Sequence, residues 1–231
     1  MNSLLKDTIN KPNGPLLKEL ICRNQLILKV IGNIDYKSLL TDLMQYSLYY
    51  LNKSDTQKEE TKMIEFIYDF IIKLLIYTDN LNLDDIIVHN FEMFKKISLL
   101  GLLNQKCKTS FSQNLTLLIN TCKTIKYSFF PVKLFQCFFE NINMFTEDSS
   151  SNKDSSNQSL GVFIDLLILL FEVLLELNEI NVIKPFISII IDTILTEIQT
   201  EDKSVIPVDI FVGYMQIINV IKSLNIFRNL H

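Results

Sequence analysis

Side chains that could perform acid–base or nucleophilic chemistry are few in this chain. It contains two histidines, His89 and the final residue His231, so a histidine-assisted serine or cysteine nucleophile would depend on His89 alone. His89 shares a helical stripe with Asp85 and Glu92, which is typical of a solvated, salt-bridged helix surface rather than of a catalytic base. The sequence therefore predicts no catalytic residue.

Metal and cofactor sites are equally hard to assemble. The cysteines Cys22, Cys107, Cys122 and Cys137 form no CxxC pair, and two histidines are too few for a zinc site of the usual spacing. We expect reduced, mostly buried thiols and no metal site. The five glycines are isolated, without a GxxxxGK or GxGxxG phosphate-binding loop. The sequence predicts no cofactor and no enzymatic activity.

Charge and hydropathy exclude further classes of protein. The 231 residues carry 22 Lys and Arg against 26 Asp and Glu, and this net charge of -4 argues against a nucleic-acid partner. The N-terminus lacks the apolar core of a secretory signal, so we expect a cytoplasmic or nuclear protein. The most apolar stretch, 160–177, carries Asp165, Glu172 and Glu176 on one helical stripe, which predicts a soluble helix and no transmembrane span.

Apolar residues recur at helical period along nearly the whole chain, and no sustained alternation or hairpin signal appears. The predicted fold class is all-α. The expected helices cover 15–32, 35–51, 54–77, 84–103, 109–126, 131–145, 161–178, 185–199 and 207–224.

Four regions follow from this pattern. Residues 1–14 form a flexible N-terminus, and 15–146 form helical repeats. Residues 147–159, EDSSSNKDSSNQS, lack apolar side chains whose burial would offset the entropy of ordering, so we expect a disordered loop. Residues 160–231 continue the helical repeats of the same domain.

The helices group into pairs whose first members start near 15, 55, 109, 161 and 207. This spacing resembles that of α-solenoid proteins of the HEAT and armadillo type, whose two-helix units recur about every 40–47 residues. The resemblance lies in helix length and spacing, without a consensus motif. It implies antiparallel helix pairs stacked as a short α-solenoid; an irregular helical bundle is the alternative fold.

That resemblance implies a non-enzymatic scaffold that mediates protein–protein interaction, as a segment or subunit of a larger assembly. The alternative, suggested by the many phenylalanines and isoleucines, is an all-α bundle that binds an apolar ligand or lipid. The second helix of each pair would line the partner surface, whose mixed charge favours a polar protein segment. An apolar C-terminal end would permit self-association. The candidate partner residues are Lys37, Asp42, Gln45, Asp85, His89, Glu92, Lys96, Lys133, Gln136, Glu140, Asp192 and Gln199, with Leu224 and Phe227 at the C-terminal end.

Overall fold

The chain folds into α-helices joined by short connections in a computed structural model, which describes residues 36–52, 58–77, 83–145, 153–199 and 208–223. These ranges contain eight α-helices and one 3₁₀ turn, Ile142–Phe145, and no strand. The all-α prediction is confirmed; the expected helix at 15–32 lies outside the described residues. The helices are α1 Tyr36–Leu51, α2 Lys58–Tyr77, α3 Leu83–Leu103, α4 Lys108–Thr124, α5 Phe129–Glu140, α6 Lys153–Glu176, α7 Ile180–Gln199 and α8 Val208–Ser223.

Helix α6 begins earlier than the sequence predicts. Residues 153–159, part of the predicted disordered loop, have helical backbone, whereas 147–152 lie outside the described residues. Extending an existing helix costs less free energy than nucleating one, because each added residue closes one more backbone hydrogen bond. The buried run that starts at Leu160 supplies that existing helix, and the polar residues before it prolong it.

Two prolines expected at the first position of a helix lie further inside. Pro131 is in the first turn of α5, where a backbone N–H has no intrahelical acceptor. Pro185 lies inside α7, in its second turn, because that helix already starts at Ile180. The Val182 N–H donates to the Glu179 carbonyl over 3.1 Å, which closes the first turn ahead of the proline. Proline therefore marks the early turns of these helices rather than their first residue.

The chain divides into two compact units between Asn114 and Leu115, a point inside α4. In the first unit, α1 packs against both α2 and α3. The buried face of α2 repeats at helical spacing and comprises Ile64, Ile67, Tyr68, Ile71 and Leu75. An i, i+4 ion pair lies on the opposite ridge of this helix, with 2.6 Å between Lys73 Nζ and Asp69 Oδ2.

Tyr68 occupies the centre of the first unit and is fully buried. Its ring stacks on Phe111 of α4 with 3.8 Å between centroids. Its hydroxyl lies 2.8 Å from Ser98 Oγ, and that oxygen donates its own hydrogen to the Phe94 carbonyl. Tyr68 must therefore donate to Ser98. The buried Tyr68 hydroxyl thus has the hydrogen-bond partner that buried polar groups generally have. Gly101 faces the other part of the Phe111 ring, where a Cβ atom would overlap the ring.

Helix α6 is central to the second unit and packs against α5, α7, α8 and the 3₁₀ turn. Aromatic rings fill the space between these helices. Phe135 contacts Phe171 at 6.2 Å and meets Phe186 edge-on at 5.1 Å between centroids, and Phe138 contacts Phe163 at 4.9 Å. Such offset and edge-to-face pairs add to the burial of the rings themselves. The aromatic side of α5 is thus part of the core.

The carboxylates of α6 lie on its exposed side, as the stripe predicts. Asp165, Glu172 and Glu176 are all exposed, and Glu176 Oε1 lies 2.8 Å from Lys123 Nζ on α4. Among the helices of the described residues, none is both long and apolar enough to cross a membrane.

Candidate functional site

In the first unit, the predicted partner residues with described side chains belong to α1 and α3. Gln45, Glu92 and Lys96 are exposed, and Asp42 is half-buried. Glu92 lies 3.5 Å from Lys95 Nζ, one turn along the same helix, in a pair exposed to solvent. Lys37, Asp85 and His89 lie on the same helices, but their side chains are outside the described part of the chain.

In the second unit, Lys133, Gln136 and Glu140 follow one stripe of α5. Lys133 and Glu140 are exposed and Gln136 is half-buried. Lys133 Nζ lies 5.8 Å from the centroid of the Phe129 ring, within the range of a cation–π interaction. These three side chains share one side of α5, as the helical spacing predicts.

The remaining predicted residues lie at the C-terminal end. Asp192 and Gln199 are exposed on α7. Leu224 and Phe227 are outside the described residues, so the predicted apolar end stays a prediction.

Side chains with potential redox or metal chemistry are buried and dispersed. Cys107, Cys122 and Cys137 are free and buried, which confirms the expected burial at these three positions. The thiol of Cys107 lies 3.6 Å from the Gly101 carbonyl, to which it donates. Among the described residues, no group of three histidine, cysteine or acidic side chains is placed to hold a metal ion.

Burial changes the acidity of two of these thiols. It raises the pKa of Cys122 to about 12, and burial together with the Glu65 carboxylate raises the pKa of Cys107 to about 12, from an ordinary value of 9.0. A raised thiol pKa means that the neutral form dominates at neutral pH. Neither thiol therefore has the thiolate character of a nucleophile or redox sensor.

We expect these thiols to weaken the fold at alkaline pH. The unfolded chain loses its thiol protons from about pH 9 upward while the folded chain keeps them, so stability holds below that pH and falls as the pH rises toward 12. Urea unfolding at increasing pH measures this decline, and Cys107→Ala or Cys122→Ala should each make it shallower. Asp165→Asn, on the exposed side of α6, is the control; an equal change of slope in this variant would contradict the assignment.

The tyrosines near the end of α1 form a second aromatic cluster. Tyr46 and Tyr50 lie 4.5 Å apart between ring centroids, and Tyr49, which is 63% exposed, meets Tyr50 edge-on at 5.2 Å. Burial and the hydrogen bond with Tyr50 raise the pKa of Tyr46 well above its usual value of 10.0. The ring of Tyr50 therefore contacts the rings of both other tyrosines in this cluster.

One exposed cluster was missed by sequence reasoning. The turn between α4 and α5 presents Ile125, 40% exposed, and Phe129, 39% exposed, beside the exposed Lys126 and Lys133. A signal for it exists in the sequence: residues 93–139 contain seven lysines and no acidic residue, in a chain whose net charge is -4. Helix periodicity does not depend on the sign of charge, so it does not reveal this lysine-rich segment.

Comparison of the chain with models of protein families, with curated proteins and with solved structures gave no match.

Proposed function

We propose that this protein is a non-enzymatic helical-repeat scaffold of the HEAT and armadillo type that binds another protein in the cytoplasm or nucleus. The observation that carries the proposal is that helices two apart along the chain contact each other within each unit. In the first unit, α1 packs on α3, and α2 meets α4 through the stacked rings of Tyr68 and Phe111.

The second unit also has contacts between helices that are two apart along the chain. Helix α4 meets α6 through the ion pair of Lys123 and Glu176, and α5 meets α7 through Phe135 and Phe186. Helix α6 packs extensively on α8. At that crossing Gly213 allows close approach, since a Cβ there would lie 2.6 Å from Ile164 Cγ2.

Contacts between alternate helices favour stacked pairs over an up-and-down bundle. In stacked two-helix units, the equivalent helices of successive units pack side by side, so each helix touches the one two places along the chain. In an up-and-down bundle the strongest contacts join consecutive helices, and alternate helices lie across the diagonal. The packing of α1 on α3 and of α6 on α8 follows the first pattern.

A scaffold also agrees better with the aromatic packing than the alternative does. In an apolar-ligand or lipid-binding bundle, aromatic rings would line a cavity. Phe135, Phe139 and Phe186 instead contact one another, with 4.8 Å between the centroids of Phe139 and Phe186. The exposed polar stripes of α3 and α5 remain for a protein partner.

Quantitative affinity purification of the full chain tests this function. The variant Glu92→Lys/Lys96→Glu/Glu140→Lys changes exposed charges on the predicted partner surface, and Asp165→Lys changes an exposed charge on α6. We expect the wild type and the α6 variant to enrich the same proteins, and the partner-surface variant to lose them by about tenfold, equal to ~1.4 kcal/mol. Equal losses in both variants, or no enriched protein with the wild type, would contradict the proposal.

A further inference from the structure

The α4–α5 turn combines exposed apolar and basic side chains at one point of the second unit. Ile125 and Phe129 are 40% and 39% exposed, Lys126 and Lys133 are also exposed, and Lys133 Nζ lies over the Phe129 ring. No acidic residue occurs between Glu92 and Glu140 in the sequence, so this turn is locally basic although the chain is acidic overall. We name the side chains of Ile125, Lys126, Phe129 and Lys133 the turn patch.

The backbone of Lys126 has the left-handed conformation of a helix C-cap. Its φ of 56° is left-handed, and the bonds from the Tyr127 N–H to the Cys122 carbonyl and from the Lys126 N–H to the Lys123 carbonyl form a Schellman cap. Glycine or asparagine suits this position best. Helix α6 ends in the same cap with Asn178 at φ 61°. A lysine here puts a charge at the turn at a cost to the backbone.

Lys133 places a second positive charge close to the N-terminus of α5, in the second turn of that helix. The N-cap residue Ser128 makes no side-chain capping bond, so no side-chain oxygen offsets the positive end of the helix dipole. Lys133 lies over the Phe129 ring. The dipole and the lysines would all attract a carboxylate presented from outside.

We infer that the turn patch binds an acidic, amphipathic segment of another protein, with its apolar side chains on Ile125 and Phe129 and its carboxylates on Lys126 and Lys133. This inference rests on the proposed scaffold function and specifies the partner. The stripe of α5 continues from Phe129 and Lys133 through Gln136 to the exposed Glu140, so its charge changes from basic to acidic along the helix. A helical segment lying along that stripe would be held in one direction by this gradient.

Charge decides between a protein segment and the other anionic partners. Binding to an anionic membrane surface is characteristic of clusters of about 4–8 basic residues. Lys123 is already paired with Glu176, which leaves Lys126 and Lys133 for a partner. A nucleic acid would also need more phosphate contacts than two lysines provide, and it offers no apolar side chains for Ile125 and Phe129. The patch therefore fits an acidic protein segment.

Fluorescence polarisation with the full chain tests the inference. The probe is a labelled amphipathic helical peptide of leucine and glutamate; its controls are the same peptide with lysine for glutamate and a glutamate peptide without leucine. We expect saturable binding of the first peptide alone. Lys126→Glu/Lys133→Glu and Phe129→Ser should each weaken it by at least about tenfold. Lys58→Glu/Lys62→Glu, at the exposed start of α2, makes the same change of net charge as the double lysine variant and should bind as the wild type does.

Lys126→Gly separates the role of the lysine in binding from its role in folding. Glycine relieves the left-handed backbone, so we expect the Tm to rise by about 2–4 °C while the peptide binds more weakly. Circular dichroism of each variant shows whether it is folded. Unchanged binding in the Lys126→Glu/Lys133→Glu variant, or equal binding of the lysine peptide, would overturn the inference.

Three further outcomes distinguish a failure of the inference from a failure of the scaffold function. Binding to phosphatidylserine vesicles without peptide binding would assign the patch to lipid and refute the protein-segment inference. If no peptide binds while the partner-surface variant still loses its captured proteins, the scaffold function stands and the inference falls. If the peptide binds but the wild type captures no protein, the scaffold function falls.

Discussion

Gly101→Ala is expected to lower the free energy of unfolding by about 2 kcal/mol, the usual range for overpacking a filled core. The added Cβ would overlap the Phe111 ring. That ring cannot move aside freely, because it also stacks on the fully buried Tyr68, with 3.8 Å between the ring centroids. Alanine gains about 1 kcal/mol over glycine in helix propensity, so the steric term must exceed that gain. Urea denaturation measures the difference.

Gly161→Ala is the matched control for this substitution. Gly161 is also helical, but a Cβ there meets no atom within 4 Å. We expect the fold to gain about 0.5–1 kcal/mol in this variant from helix propensity alone. Phe111→Ala should also make Gly101→Ala less harmful, because alanine lacks the ring atoms that the added methyl group would overlap. Additive effects of the two substitutions would show that the ring is not what excludes the methyl group.

Phe135→Ala is expected to cost about 3–5 kcal/mol, because it empties the place of a large side chain in the core. Phe135 is fully buried and contacts Phe139, Phe171 and Phe186, so three rings lose a neighbour. A loss of this size is a large share of the stability of an ordinary domain. We expect the thermal transition to move far down or to disappear.

Phe129→Ala provides the comparison on the same helix. Phe129 is 39% exposed at the start of α5, and its substitution should cost much less than that of Phe135. The pair thus separates core packing from surface exposure at constant residue type. Equal losses of stability in the two variants would mean that the exposed ring supports the fold, which would also weaken its assignment to the turn patch.

The helices were predictable because their apolar residues recur at one period. On α2, the spacing of Ile64, Tyr68 and Ile71 defines the buried face, and Asp69 and Lys73 define the ridge opposite. Burial of such a face is the main source of helix stability in proteins, so pattern and structure agree. Helix α6 shows the limit. Local composition does not reveal that the polar residues before Leu160 extend a helix whose buried part begins at Leu160.

The candidate site was predictable only where it depends on a single helix. Lys133, Gln136 and Glu140 share a stripe of α5 because their spacing alone places them there. The close approach at Gly101 depends on which ring of α4 faces this glycine. The left-handed backbone of Lys126 depends on how helix α4 ends. Both are consequences of tertiary packing or of cap geometry, to which periodicity is insensitive.

Helix α4 belongs to both compact units, since the division of the chain falls between Asn114 and Leu115 in its middle. Each half of the helix is shorter than the ~12 residues at which an isolated helix becomes even marginally stable in water. Phe111 holds the first half through its stacked ring, and Leu118, Ile119 and Cys122 are the buried side chains of the second half. The division therefore falls inside a helix rather than in a linker. A cut between Asn114 and Leu115 would break the backbone hydrogen bonds of α4 that cross this point, so neither piece would keep the complete helix.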